Sequence, residues 1–167
     1  MTPAFLEYSD LQLSRHHLMM CDTEESVMYE LEDRMTKLWD GFDDVQRKDL
    51  RGMAADLNWV RRGGKFPIAI ECGQTIQLTS ENRRWMAEER SKGEWLEILD
   101  SMRVHGPIFS TFDLAFYRGE AYQAIGLPGY ATIFYDFAVK STDELTDSDK
   151  KVIQDVGNWY FVEGHNE

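Results

Sequence analysis

Residues 119–138 read GEAYQAIGLPGYATIFYDFA, and they carry the clearest structural pattern in the chain. Small and aromatic residues recur in it at fixed intervals: Gly119-x2-Tyr122-x3-Gly126-x4-Ala131-x3-Tyr135-x2-Ala138. The small residues allow two helical backbones to approach closely, and the tyrosines fill the space between them. Gly126 ends a first helix, and the Leu-Pro-Gly that follows begins a second. The stretch therefore predicts a tight antiparallel pair of helices.

The spacing resembles that of the tetratricopeptide repeat, a helix-turn-helix unit that stacks into protein-binding solenoids. The resemblance is clearest over residues 112–143 and weaker over residues 80–106. The repeat consensus also places a large aromatic residue and a leucine before the first glycine, and a proline after the second helix. Here Ala115, Arg118 and Asp143 stand in those three places. The resemblance implies a stack of helical hairpins and a non-catalytic protein-binding function.

In this family, ligands usually lie against the first helix of each repeat. The resemblance therefore implies a partner-binding groove formed by Asp113, Phe116, Tyr117, Glu120 and Gln123. A groove with acidic and aromatic residues suits a basic or amphipathic protein or peptide. The carboxylate clamp of some family members needs Lys, Arg or Asn on this face, and these positions carry none. The equal alternative is that the acids only solvate an exposed face.

Composition and charge narrow the class of protein. The chain has 167 residues, 43% of them hydrophobic and 13% aromatic, which predicts one folded domain over residues 1–167. Its formal net charge of −12 comes from 30 acidic and 18 basic residues. This charge argues against binding to nucleic acid or to anionic membranes. The apolar stretches fall well short of the roughly 18 residues that suggest a membrane span. We also find no signal-peptide pattern and no CxxC pair, so we expect a cytoplasmic protein.

The rest of the chain also reads as mostly helical. In residues 1–21, Ser9 or Asp10 could begin a short helix, and the segment is otherwise expected to be loosely ordered. Residues 22–62 show apolar stripes at helical spacing, a restart at Asp43 with Gln46 three residues on, and a stop at Gly63-Gly64, which predicts an antiparallel helical hairpin. Further helical segments begin at Thr79 or Ser80 and break at Lys92-Gly93.

Two segments complete the predicted fold. Alternating residues over 66–78 predict a small β-hairpin, with a long extended loop as the competing interpretation. Residues 146–161 predict a terminal capping helix. The expected fold class is mostly α, a stack of antiparallel helix hairpins arranged as a repeat-like solenoid or as a bundle. The five tryptophans are expected to pack in or beside the core: Trp39, Trp59, Trp85, Trp95 and Trp159.

Two other function classes stay open. One is a small hydrolase or transferase with Cys72 as nucleophile, His105 as base and Asp113 as orienting acid. The other is an acidic inhibitor or antitoxin-like protein that neutralises a basic partner. We find no catalytic motif for the first, so a non-enzymatic binding module is preferred.

Two smaller groups of residues are candidate ligand sites. His16, His17 and Cys21 could contribute to a metal site, but a structural zinc site needs four ligands, so no metal and no cofactor is expected. Residues 61–65, Arg-Arg-Gly-Gly-Lys, and the pair Arg83-Arg84 could together hold an acidic partner or a phosphate. The more economical interpretation is that Arg61 and Arg62 complement the dipole at the end of a helix.

Overall fold

The computed structural model describes residues 1–21, 25–65, 80–105 and 109–141. Within these ranges the chain forms seven α-helices and no strand, which confirms the mostly helical fold class. The helices are α1 (Pro3–Leu18), α2 (Glu25–Trp39), α3 (Asp44–Arg61), α4 (Ser80–Lys92), α5 (Trp95–His105), α6 (Thr111–Ala124) and α7 (Pro128–Lys140). The predicted β-hairpin at 66–78, Cys72 and the predicted capping helix at 146–161 lie outside the described residues.

Helix α1 begins earlier than the sequence patterns suggested. Thr2 caps it, because its hydroxyl oxygen accepts a hydrogen bond of 3.3 Å from the backbone N–H of Phe5, and Pro3 occupies the first turn. Ser9 lies inside the helix, where its hydroxyl donates to the Phe5 carbonyl at 2.8 Å. Phe5 and Tyr8 are buried in the core. The N-terminal residues therefore form a core helix instead of a loosely ordered segment.

Helix α3 begins as predicted, with a reciprocal cap. The Asp43 side chain accepts from the backbone N–H of Gln46 at 2.8 Å, and the Gln46 side chain accepts from the backbone N–H of Asp43 at 3.2 Å. The pairing of α3 differs from the predicted hairpin, however. α1 packs against both α2 and α3, whereas α2 and α3 barely touch each other. No residue of α2 is fully buried, so its apolar stripe lies only half-covered on α1.

Helices α4 and α5 confirm the predicted break at Lys92-Gly93. Gly93 has φ of +73°, a left-handed conformation that glycine adopts without steric cost and that ends α4. Met86 of α4 and Ile98, Leu99 and Met102 of α5 are fully buried. α5 packs on α3 on one side and on α6 on the other, so it joins the two halves of the described structure.

Helices α6 and α7 form the closest helix pair among the described elements. A Cβ atom placed on Gly119 would lie 2.5 Å from Cε1 of Tyr135, so only glycine accommodates this ring. Gly126 turns the chain with φ of +83°, and Pro128 starts α7. Tyr122 stacks on Phe134, with ring centroids 5.2 Å apart and an interplanar angle of 11°. The helix pair predicted from residues 119–138 is present.

Contacts between α7 and α1 close the described helices into a bundle. The Tyr130 hydroxyl lies 3.1 Å from the Ser9 carbonyl oxygen and 3.0 Å from Oε1 of Gln12, either of which can accept its proton. The Gln12 amide in turn donates to the Leu50 carbonyl of α3 at 2.9 Å. An open solenoid joins only sequential neighbours, whereas here the first and last described helices meet.

The described tryptophans lie where the sequence places them. Trp59 is buried, and Trp39, Trp85 and Trp95 are partly buried and pack against the core, while Trp159 lies outside the described ranges. Among the helices of the described part of the chain, none has both the length and the apolar character needed to cross a lipid bilayer.

Candidate partner-binding surface and charged cleft

The five predicted partner-binding residues lie on one helix, α6, at positions that recur every three or four residues. Their environments differ. Asp113 is buried in the first turn, Phe116, Tyr117 and Glu120 are half-buried, and Gln123 is exposed. We call these five residues the α6 stripe. The stripe is polar and accessible at its C-terminal end and covered at its N-terminal end.

Asp113 helps to start α6. Ser110 is the cap, since its hydroxyl oxygen accepts from the backbone N–H of Asp113 at 3.0 Å, and the same hydroxyl donates to Oδ2 of Asp113 at 2.6 Å. Its carboxylate also lies at the positive end of the helix dipole. Asp113 thus has a structural role in the described fold.

Glu120 forms an ion pair with Arg90 of α4. Burial raises the pKa of Glu120, and the charge and hydrogen bond of Arg90 act in the opposite direction. The Arg90 guanidinium also lies 5.6 Å from the centre of the Tyr117 ring, a cation–π distance. The charge of Glu120 is therefore balanced by a cation within the protein.

Aromatic rings form a continuous ladder beside these acids. Phe116 stacks on Phe112 with centroids 5.9 Å apart and meets the rings of Tyr117 and Tyr135 at 6.0 Å each. Tyr117 meets Phe109 at 6.2 Å, and the ladder continues from Phe109 to Trp85 at 6.2 Å. Four of these rings are only half-buried, and we name them the aromatic face: Trp85, Phe116, Tyr117 and Tyr135.

A buried cluster of charges lies where α3, α5 and α6 meet. Asp56 is 1% exposed, and its Oδ2 accepts hydrogen bonds from Nη2 of Arg103 at 2.6 Å and from the Tyr122 hydroxyl at 2.7 Å. Nε of Arg118 lies 3.1 Å from the other oxygen, Oδ1, in an ion pair between two side chains that are each 1% exposed. One carboxylate therefore anchors two arginines and a tyrosine, and we call these four residues the Asp56 cluster.

The Asp56 cluster shifts the ionisation of its members. Burial, reinforced by the negative charge of Asp56, holds the pKa of Tyr122 well above its usual value. Burial lowers the pKa of Arg118, and the attraction of Asp56 opposes that shift without cancelling it. For Arg103 burial is again the largest influence and acts to lower the pKa, but the charge and hydrogen bond of Asp56, together with Tyr122 and Asp100, outweigh it and the pKa rises. At neutral pH the phenol of Tyr122 is therefore uncharged.

A cleft of about 200 Å³ opens beside the Asp56 cluster, at the C-terminal end of α3. Its wall includes four basic side chains from three different parts of the fold, Arg62, Lys65, Arg103 and Arg118, together with Ala55, Asp56, Asn58 and Trp59. We call it the basic cleft. It stands out in a chain with a net charge of −12.

The structure divides the basic sequence at residues 61–65 between two faces. The amides of Gly63 and Gly64 end α3 by donating to the carbonyls of Val60 at 2.9 Å and Trp59 at 3.0 Å, so they are occupied. The side chains of Arg62 and Lys65 line the basic cleft. Arg61 belongs to a different surface, where its guanidinium donates to Oδ1 of Asn58 at 2.7 Å. An anion beside residues 61–65 could therefore be bound by the side chains of Arg62 and Lys65, but not by the amides of Gly63 and Gly64, which are already hydrogen-bonded.

A larger groove of about 500 Å³ lies between α1, α2 and α3. It exists because α2 leans on α1 and the small side chains of Ala54 and Ala55 leave space along α3. Its other lining residues are Tyr8, Gln12, Arg15, His16, Met19, Met35, Leu57, Asn58 and Arg61. The pKa of His16 is lowered first by burial and then by the neighbouring charges of His17 and Arg61.

Sequence reasoning missed the Asp56 cluster. Arg118 was noticed only as a departure from the repeat consensus, and Asp56 and Arg103 were not singled out. A signal was present for Asp56, because it stands between Met53 and Leu57 on the apolar side of α3. An acid on a buried helix face requires a partner, and buried arginines are the usual partners.

The other candidate sites receive less support from geometry. Within the described ranges, no group of three or more His, Cys, Asp or Glu side chains is placed to hold a metal ion. The His16 and His17 rings meet edge to face at 5.9 Å. For the enzyme hypothesis, His105 meets the ring of Trp85 at 6.1 Å and Asp113 bonds to Ser110, while Cys72 lies outside the described residues.

Comparison of the chain with protein-family models, with curated proteins and with solved structures gives no match.

Proposed function

We propose that this protein is a non-catalytic interaction module that holds a segment of a partner protein on the aromatic face and the exposed end of α6. The observation that carries the proposal is the aromatic face, whose half-buried rings belong to one ladder that runs from Trp85 through the buried Phe109 to Tyr117, Phe116 and Tyr135. Aromatic residues dominate the energetic centres of protein interfaces because they bury a large area at a small cost in side-chain entropy. The resemblance of residues 112–143 to a tetratricopeptide repeat supports the same helix as the ligand-facing one.

The chemistry of the stripe favours an amphipathic partner with basic residues. The local acids are partnered, Glu120 by Arg90 and Asp113 by Ser110, so the centre of the surface offers rings and not isolated carboxylates. The net charge of −12 still attracts a basic segment over longer distances. We therefore expect apolar anchors of the partner on the rings, and basic side chains of the partner around them.

The test is capture of partners from the native source with variants of matched charge. Gln123→Arg adds a positive charge at the exposed end of the stripe without removing a core contact. Thr36→Arg adds the same charge on the exposed side of α2 and serves as the control. We expect Gln123→Arg to weaken capture about tenfold, equivalent to about 1.4 kcal/mol, and Thr36→Arg to leave it unchanged.

A second variant tests the rings. Phe116→Ala removes the central ring of the ladder, and its melting temperature must be measured beside its binding because Phe116 also packs against the core. Loss of capture by a variant that stays folded supports the proposal. Equal capture by all four proteins would move the interface elsewhere, and the groove between α1, α2 and α3 would be the next surface to examine.

The inhibitor hypothesis predicts a different salt dependence. A partner held mainly by charge would dissociate steeply with added salt and would ignore Phe116→Ala. A partner anchored on the rings keeps much of its affinity at moderate salt, because burial of apolar surface is not screened. Measuring capture at low and moderate salt therefore separates the two binding functions.

A further inference from the structure

We propose that the basic cleft is a binding site for a phosphate group, either free or as a phosphate ester. The inference concerns a different surface from the aromatic face and does not depend on the proposed function. It rests on a cavity, a surplus of positive charge and an incompletely bonded buried arginine.

The first step is the charge balance of the cleft. Four cations line it: Arg62, Lys65, Arg103 and Arg118. Two carboxylates face them, since Asp56 pairs with Arg103 and Arg118, and Asp100 pairs with Arg103 at 2.6 Å. Asp100 is also shared with Lys48. Among the described residues, the site therefore carries at least two positive charges that no carboxylate compensates.

Arg118 is buried at the cleft with part of its guanidinium group not hydrogen-bonded. Its side chain is 1% exposed, yet its Nε and Nη1 make no hydrogen bond with described residues. Nε is close to Asp56 but poorly directed for a bond to it. A buried donor without an acceptor costs about 1–3 kcal/mol, so such groups in folded proteins call for an explanation. Arg118 lines the cleft, where oxygens of a bound anion can supply acceptors.

Two of the cations that line the cleft, Arg62 and Lys65, are accessible to solvent. Arg62 and Lys65 are exposed and form no ion pair within the described part of the chain. They line the same cleft as the buried Arg118. An anion in the cleft would therefore contact the buried guanidinium of Arg118 and the two exposed cations, Arg62 and Lys65. This is a graded arrangement that attracts an anion and then removes it from water.

Charge and size favour phosphate over a simple carboxylate. A phosphate monoester carries about −1.5 to −2 charges at neutral pH, close to the surplus of the site. Guanidinium groups bind its oxygens in pairs, and lysine adds a point charge. The volume of about 200 Å³ leaves room for a phosphate and part of an attached group. For comparison, one water molecule takes up only about 30 Å³, so the cleft is larger than a site for a single water molecule.

The test is calorimetric titration of the full chain with inorganic phosphate and with O-phospho-L-serine at constant ionic strength. Arg62→Gln and Lys65→Gln remove exposed cations, so both variants should fold. Arg61→Gln is the matched control, because it removes the same charge from the neighbouring residue, which lines the groove between α1, α2 and α3 and not the basic cleft. We expect saturable binding to the wild type and to Arg61→Gln, and binding about tenfold weaker to each of the other two.

The two ligands separate the sources of the phosphate group. Equal affinity for both supports a site for the phosphate ion itself, and tighter binding of phosphoserine supports a site for a phosphorylated side chain. Absence of saturable binding to the wild type would overturn the proposal. So would equal weakening by Arg61→Gln and Arg62→Gln, because that result would reflect only the general charge of the helix end.

Discussion

Nε of Arg118 on α6 lies 3.1 Å from Oδ1 of Asp56 on α3, and both side chains are almost completely buried. The Arg118 guanidinium also lies 4.4 Å from the centre of the Trp59 ring, so a cation–π contact covers the face that the carboxylate leaves open. This pair joins helices that are far apart in the sequence. It also stands at the inner end of the basic cleft, so the same arginine serves the fold and the inferred anion site.

Removing the charge of Asp56 should destabilise the fold strongly. Asp56→Asn leaves Arg103 and Arg118 without their common counter-charge, and breaking a buried ion pair in this way costs about 3–5 kcal/mol. Tyr122→Phe removes one neutral donor from the same carboxylate and should cost only about 1–2 kcal/mol. Urea unfolding of the two variants measures both values. Similar losses in both would show that Asp56 is not the centre of the cluster.

Gly119→Ala should lower the stability by about 1–2 kcal/mol, although alanine is the better helix former. The new methyl group would meet Cε1 of Tyr135 at 2.5 Å, so the ring must move away from the helix pair. The clash can be isolated in a Tyr135→Ala background, where the same substitution should stabilise α6 by up to about 1 kcal/mol. If Gly119→Ala costs the same in both backgrounds, the ring is not the cause.

Stability should fall at alkaline pH because of buried phenols, among them those of Tyr122 and Tyr130. Burial, followed by the charge of Asp56 for Tyr122 and of Asp10 for Tyr130, raises the pKa of both hydroxyls above the usual 10.0. The folded state then keeps protons that the unfolded state loses. Their contribution is complete below pH 10 and declines as the pH rises above it, by up to about 1.4 kcal/mol per pH unit for each group.

The alkaline slope can be assigned by comparing two phenylalanine variants. Tyr122→Phe should flatten the dependence of unfolding free energy on pH above 10, because one of these protons no longer takes part. Tyr29→Phe should leave it unchanged, because Tyr29 is 76% exposed. Denaturant midpoints measured from pH 8 to 11 decide this, and an equal slope in the wild type and Tyr122→Phe would contradict the assignment.

Gln12→Ala should loosen the closure of the bundle. The Gln12 side chain connects α1 to the Leu50 carbonyl of α3 and lies beside the Tyr130 hydroxyl of α7. Its loss leaves buried polar groups without partners, at a cost of about 1–3 kcal/mol. Hydrogen exchange should become faster in α1 and α7 together. Faster exchange in α1 alone would mean that the two helices do not support each other.

The sequence was most informative where the structural cause is local. The turn at Gly126, the break at Gly93 and the cap formed by Asp43 and Gln46 depend on residues within a few positions, and all three were predicted correctly. The start of α1 was missed although Thr2 followed by Pro3 is a typical helix start. That error lay in the interpretation and not in the signal.

Pairing between helices could not be predicted in the same way. Nothing near α2 in the sequence specifies that it packs on α1 instead of α3, because both helices contain apolar residues that become buried. Likewise, Arg62, Lys65, Arg103 and Arg118 come together only through the packing of three separate elements. The sequence spacing was enough to place the five predicted partner-binding residues on one helix, α6. The pairing of Glu120 with Arg90 could not be predicted, because it depends on how α4 packs against α6.

In the proposed function, a partner segment lies on the aromatic face at α6. A photoreactive residue at Gln123, at the exposed end of the stripe, tests it directly when the full chain is irradiated with its captured partner. The same residue at Ala54 samples the groove between α1, α2 and α3. We predict cross-links to the partner from position 123 and few from position 54. Cross-links from position 54 with none from position 123 would contradict the claim.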